Sequence, residues 1–191
     1  MCGVKPYIRA TCNPDADSWV KALISWWLDD SDFCADNMIE AFSCTGKIII
    51  GMDFRGSDLS NSYFCDCVFY NCEFGNCNLE SSVFNTCIIN ASMFHKANMI
   101  GVTFVRTTIL DSMLSDVDFS TSNWLDSIII GSQGIYSKFY EARLTGTVMM
   151  DSVFNHSIFR GAGLILFSAT LTELRDCDFS DVGLFDSTMI S

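Results

Sequence analysis

The chain has 191 residues and carries a formal net charge of −12 at pH 7, with a pI near 4.3. Charge of that sign disfavours direct binding to DNA or RNA, whose phosphates require cationic neutralisation. Neither a signal-peptide core in the first residues nor an apolar run long enough to span a bilayer is visible, so the expected location is the cytoplasm.

In chain order, residues 13–43 read as helical. Asn13 or Asp15 can cap, Pro14 suits a first turn, and Trp19, Leu23, Trp26 and Trp27 fall on one helical face. A second short helix is expected from about Ser31 to Phe42. Residues 1–47 are therefore expected to form an N-terminal segment with a short α-helical cap over an open repeat end. A partner-docking surface is the alternative use of those aromatics. Ile48, Ile49 and Ile50 are expected to open a second unit, 48–191.

Within that unit a large apolar residue recurs at every fifth position. The candidate core comprises Phe54, Leu59, Phe64, Phe69, Phe74, Leu79, Phe84, Phe94, Phe104, Phe119, Trp124, Phe139, Phe154, Phe159 and Phe179. Of the 28 positions from Phe54 to Met189, only Gly134 and Ala169 lack a large side chain. Two residues before each lies a column that is almost always small, such as Ser57, Ser62, Cys67, Cys72 and Cys77. A period of five fits neither helix nor simple strand, and an unbroken period is the mark of a repeat architecture.

The segments Ser57-Asp58-Leu59, Cys72-Glu73-Phe74, Cys77-Asn78-Leu79, Ala97-Asn98-Met99, Val117-Asp118-Phe119 and Cys177-Asp178-Phe179 resemble the motif of the pentapeptide-repeat family. That motif is a small residue, a polar residue, Phe or Leu, then two variable positions. The resemblance covers roughly three quarters of the chain. It implies an all-β solenoid, a right-handed quadrilateral β-helix of about seven coils with four pentapeptides in each. The large column then points inward and the small column fills the corners. Phe64, Phe84, Phe104 and Trp124 should stack as a ladder, and Phe167 should fill the space left by Ala169. At Gly134 a local bend or bulge is expected. The last residues stay in register, leaving a coil edge that invites a homodimer through the uncapped C-terminal coil or belongs to a longer chain.

Ten cysteines raise the question of a disulfide scaffold or a metal site. Cys67, Cys72, Cys77, Cys87 and Cys177 occupy the small column, which points to packing and reduced thiols; the roles of Cys2, Cys12, Cys34, Cys44 and Cys65 stay open. His95 and His156 lie about three coils apart, too far for a shared proton relay. With no phosphate-cradling loop, nucleophile elbow or metal-ligand spacing, the chain reads as a non-enzyme without cofactor or metal.

Residues 51–191 hold 16 Asp and Glu against 7 Lys and Arg, so the rod itself carries −9. Two functions follow. The first is a non-catalytic protein-protein interaction module whose partner bears a basic surface, with Asp111, Asp116, Asp118 and Asp126 as candidate contacts. In the family, similar repeats form the recognition region of some bacterial effectors, which would imply secretion into a host cell. The second, implied by a different branch of the family, is a DNA mimic that binds DNA gyrase and protects it from quinolones or toxins. A purely structural module is the remaining possibility.

Overall fold

A computed structural model describes residues 42–190. Each pentapeptide repeats one backbone pattern. The large residue points in, its two neighbours point out, and the residue two positions beyond it turns the chain. From Gly46 to Asp186 that turning residue has φ between 45° and 69° at every repeat. Such a left-handed conformation costs an ordinary L-residue about 1–2 kcal/mol, costs glycine nothing, and is eased for Asn and Asp by their short polar side chains. Accordingly 18 of the 29 turning residues are Gly, Asn or Asp. The repeat is thus built from three demands at once: bulk, smallness and a left-handed turn.

Four such turns close one coil, and successive coils stack as parallel ladders. One eight-stranded sheet contains β1 (Ser43–Thr45), β3 (Tyr63–Cys65), β5 (Val83–Asn85), β7 (Thr103–Val105), β9 (Asn123–Leu125), β11 (Arg143–Thr145), β13 (Gly163–Ile165) and β15 (Gly183–Phe185). A second contains β2 (Ile48–Ile50), β4 (Val68–Tyr70), β6 (Ile88–Asn90), β8 (Thr108–Leu110), β10 (Ile128–Ile130), β12 (Val148–Met150), β14 (Ser168–Thr170) and β16 (Thr188–Ile190). We call these the odd and even sheets. The third and fourth faces pair through single bridges, as in Asp53 with Glu73 and Asp58 with Asn78. Those faces are narrower because hydrogen-bonded β-turns follow their inward residues: Ser57 N–H donates to the Phe54 carbonyl (3.1 Å) and Cys77 N–H to that of Phe74 (3.0 Å). The product is a parallel β-solenoid of about seven turns.

Register is twenty residues per coil throughout, so Phe64 sits against Phe84 and Ile129 against Met149. β1 already pairs with β3, and the coil structure therefore reaches back to Ser43. No helix occurs among the described residues. Of the helical reading of 13–43, residues 13–41 lie outside them, as do Cys2, Cys12 and Cys34; Phe42 is not helical and Ser43 opens a strand, because its pairing with Tyr63 already belongs to the coil ladder.

The large column forms one continuous core. Every core residue nominated from the sequence is buried except Phe179, which is half-buried in the last coil and stacks on Phe159 at 4.9 Å. Phe64, Phe84 and Phe104 stack at 4.8 and 5.2 Å, and Trp124 continues the ladder at 4.1 Å. Phe54, Phe74 and Phe94 form a second ladder, and Phe119, Phe139 and Phe159 a third. The buried indole N–H of Trp124 donates to Ser122 Oγ at 2.8 Å, so this bulkiest side chain leaves no polar atom stranded.

The small column does more than fit. Ser92 N–H donates to Ser112 Oγ, Ser112 N–H to Ser132 Oγ, and Ser132 N–H to Ser152 Oγ, all at 3.1–3.2 Å. A hydroxyl in one coil satisfies an amide of the coil before it, which a purely apolar small residue cannot do. Ser57 and Ser62, in the first complete coil, hold the two buried hydroxyls without a partner among the described residues.

The two gaps in the large column are explained differently. Phe167 is buried alongside Ala169, as expected for a side chain moved two positions along the chain. At Gly134 the expected bend or bulge is absent. Gly134 N–H bonds to the Val153 carbonyl at 2.7 Å in unbroken register, and the place of its side chain is taken by the Phe154 ring, onto which a Cβ there would fall. Among the described residues no coil stacks beyond the last, and Leu184 is 64% exposed.

Candidate interaction surface

With the core closed, the described residues offer a partner mainly what the four faces present. The four candidate acids are dispersed around the rod rather than gathered. Asp111, Asp116 and Asp126 occupy turning positions with φ of 45°, 59° and 50°, and Asp118 lies on the fourth face. Asp126 stands on the edge between β9 and β10, Asp111 on the opposite edge of the even sheet after β8, and Asp116 between the third and fourth faces. Nine of the rod's 16 acids, eight Asp and Glu141, are turning residues. Turn geometry therefore accounts for much of the charge that the sequence offered as a functional signal.

The third and fourth faces mix exposed apolar residues such as Met93, Met113 and Ile158 with internally paired polar groups. Arg55 meets Asp53 at 2.7 Å, Lys138 meets Asp118 at 3.3 Å, and Asn98 donates to Asn78, which donates to Asp58, each at 3.0 Å. The Arg55 side-chain bond holds the Asp53 carboxyl below its usual range. Partial burial of Asp118 works against ionisation, but bonds from Ser120 and Lys138 outweigh it and its pKa also falls. Bonds from the Ser180 side chain and backbone lower that of Asp178. His95 lies 3.5 Å from Asp116, while His156 lies 3.8 Å from Asp176 and stacks on Tyr136.

The cysteines among the described residues are all free. Cys44 takes a large-column position in the first strand, with its Sγ 3.6 Å from that of Cys67. Burial pushes the Cys72 thiol up to about 11, which suits a packing residue. Among the described residues no group of three or more His, Cys, Asp or Glu could hold a metal ion, and no helix is long and apolar enough to cross a membrane.

The even sheet stands apart. Across all eight of its strands there is no charged residue, whereas the odd sheet carries Arg143 and the other faces carry several charges each. Its outward side chains form two columns. One contains Ile48, Val68, Ile88, Ile128 and Val148; the other contains Ile50, Tyr70, Leu110, Ile130, Met150 and Ile190. Uncharged Asn90, Thr108, Ser168, Thr170 and Thr188 complete them. Two further leucines extend the apolar surface at the edges: Leu166 before β14 and Leu171 after it, 55% and 61% exposed, with φ of 53° and 52°. Leucine in that conformation is a rarity, because no local side-chain hydrogen bond offsets the steric cost. This face escaped the reading by fives. It becomes visible only when the outward residues are aligned by twenty.

A family profile described as pentapeptide repeats (8 copies) matches residues 51–85. No curated protein sequence matches the chain. Among solved structures, full-length QnrB1, a plasmid-mediated fluoroquinolone resistance protein, is similar over 77% of this chain and 86% of its own, at 16% identity and a TM-score of 0.41. HetL, a pentapeptide-repeat protein involved in heterocyst differentiation regulation in the cyanobacterium Nostoc, is similar over 81% of this chain and 92% of its own, at 11% identity and a TM-score of 0.26.

Proposed function

The chain belongs to the pentapeptide-repeat proteins, and on that premise we propose that it is a non-catalytic docking rod whose even sheet binds a partner protein. The observation that carries this reading is the uncharged, largely apolar outer surface of β2 to β16 on a rod of net charge −9. Solvated faces ordinarily mix charge with apolar groups, and contiguous apolar patches on soluble proteins mark interaction sites. A solenoid also offers such a strip as an extended rigid platform, so binding loses little conformational entropy on the rod's side.

The test is comparative capture from lysate. Wild-type rod and an Ile88→Glu/Ile128→Glu variant serve as parallel baits, with circular dichroism confirming that both are folded. A protein retained by wild type and lost by the variant is expected. Identical capture by the two baits refutes docking on this face.

A second reading, binding to DNA gyrase as a DNA mimic, draws support from the carboxylates on both edges of the even sheet. Asp66, Asp126 and Asp186 lie on one edge, and Asp111 and Asp151 on the other. Gyrase supercoiling with and without a quinolone tests it. Inhibition or protection by micromolar rod supports the mimic, and an unchanged reaction rejects it.

A further inference from the structure

We propose that the occupant of the even sheet is a cationic amphipathic α-helix of a partner protein; this rests on the docking-rod reading above. Backbone chemistry excludes an added strand on the face itself. Its amide and carbonyl groups are spent between coils, as in Val68 N–H to Lys47 O (2.8 Å), Ile88 N–H to Cys67 O (2.9 Å) and Ile128 N–H to Thr107 O (2.9 Å). A partner must therefore pack side chains on side chains.

Dimensions favour a helix. Eight strands at the inter-strand spacing make a strip about 34 Å long, and a helix of about 22 residues spans the same distance at 1.5 Å per residue. The two outward columns stand two residues apart along each strand, about 6.6 Å, leaving between them a seam for one helical ridge.

Charge selects the kind of helix. The edge between the two sheets carries Asp66, Asp126 and Asp186 with the single cation Arg106, and the far edge carries Asp111 and Asp151. An apolar strip between two carboxylate rims complements a helix whose apolar face is flanked by Lys and Arg. A second copy of this face would set rim against rim, carboxylate against carboxylate, and is disfavoured. Leu166 and Leu171 widen the strip at β14, where the strand's own outward residues are Ser168 and Thr170. Both leucines retain an unfavourable backbone conformation at exposed sites, as expected of residues kept for contact rather than for folding.

The probe is a fluorescein-labelled helical peptide of about 20 residues, with leucines on one face and lysines flanking them, compared with a scrambled peptide of identical composition. Binding to the full chain is read by fluorescence anisotropy between about 50 and about 300 mM salt. Micromolar binding by the amphipathic peptide is expected, weakened about tenfold by Ile128→Asn/Ile130→Asn and unaffected by Ile158→Asn on the fourth face. Ile128→Thr/Ile130→Thr keeps strand propensity should the Asn pair fail to fold. Asp111→Asn/Asp126→Asn should weaken binding at low salt and flatten its salt dependence. Equal binding by the scrambled peptide, or indifference to the Ile variants, overturns the proposal. So does a concentration-dependent dimer in sedimentation that the Ile variants dissolve, since the occupant is then a second copy. If the peptide fails while capture from lysate still depends on Ile88 and Ile128, the docking rod stands and the helix falls.

Discussion

Gly134→Ala should destabilise the rod, against the usual tendency of Gly→Ala within an element. Gly134 has an ordinary φ, so the substitution relieves no backbone conformation and forces none. Removing a glycine's freedom in the unfolded chain would by itself stabilise by about 0.4–1 kcal/mol. Against this, the new methyl falls on the Phe154 ring, touching Cε1 and Cδ1 and lying 2.9 Å from Cζ. That ring is fully buried and packed edge-on against Phe139 at 5.8 Å, so it has little room to withdraw. Overpacking of this kind costs about 1–3 kcal/mol, leaving a net loss of about 1–2 kcal/mol. For a domain of this size the melting temperature should fall by about 2–8 °C. Urea unfolding followed by circular dichroism measures it, and Phe154→Leu supplies the second arm. In the Gly134→Ala background the smaller side chain should recover about 1 kcal/mol relative to additivity. A raised melting temperature, or strictly additive effects, would refute the account of Phe154 as the group that fills the Gly134 site.

Other outcomes follow from the turns and the charges. Replacing Asp111, Asp116, Asp118 and Asp126 together by Asn should leave stability within about 1 kcal/mol of wild type by urea unfolding, since Asn also tolerates the left-handed turn. Ala at Asp111, Asp116 and Asp126 should cost about 1 kcal/mol each, and equal behaviour of the Asn and Ala sets would show that the turn does not select these residues. Leu166→Gly and Leu171→Gly should each raise stability by about 0.5–1 kcal/mol, read as a higher melting temperature; a loss would mean that the leucines support the fold. Asp53, Asp118 and Asp178 have folded pKa values below those of the unfolded chain, so the stability they confer is present above the unfolded carboxylate value near 3.9 and is lost as pH falls through the folded one. Asp118→Asn should therefore flatten the decline in melting temperature below about pH 4, and an unchanged decline would discount that site.

Most of the fold was legible because the repeat states its chemistry once every five residues. The inward and small columns follow from spacing, whereas the ladder from Phe64 to Trp124 follows only with the coil length of four pentapeptides that the family resemblance implies. Gly134 was misjudged because the residue that compensates for it lies one coil away, a relation that spacing suggests only after the coil length is used to pair side chains. The candidate surface suffered more. Asp residues catch attention as charges, yet Asp111, Asp116 and Asp126 sit where the backbone is left-handed, and backbone conformation leaves no mark in a count of acids. Ile88 and Ile128 occupy variable positions of the repeat, and only the twenty-residue register places them in one column, with Thr108 between them.

The interchangeability of Gly, Asn and Asp at the turning position makes the rod's electrostatics a nearly free variable. Asn71, Asp111, Gly131 and Asp151 perform the same turn along one edge with different charge. Such a scaffold can drift from neutral to strongly anionic one edge at a time while its core and outline stay fixed. Selection on solubility or on a partner's potential can then act on the turns without renegotiating the fold.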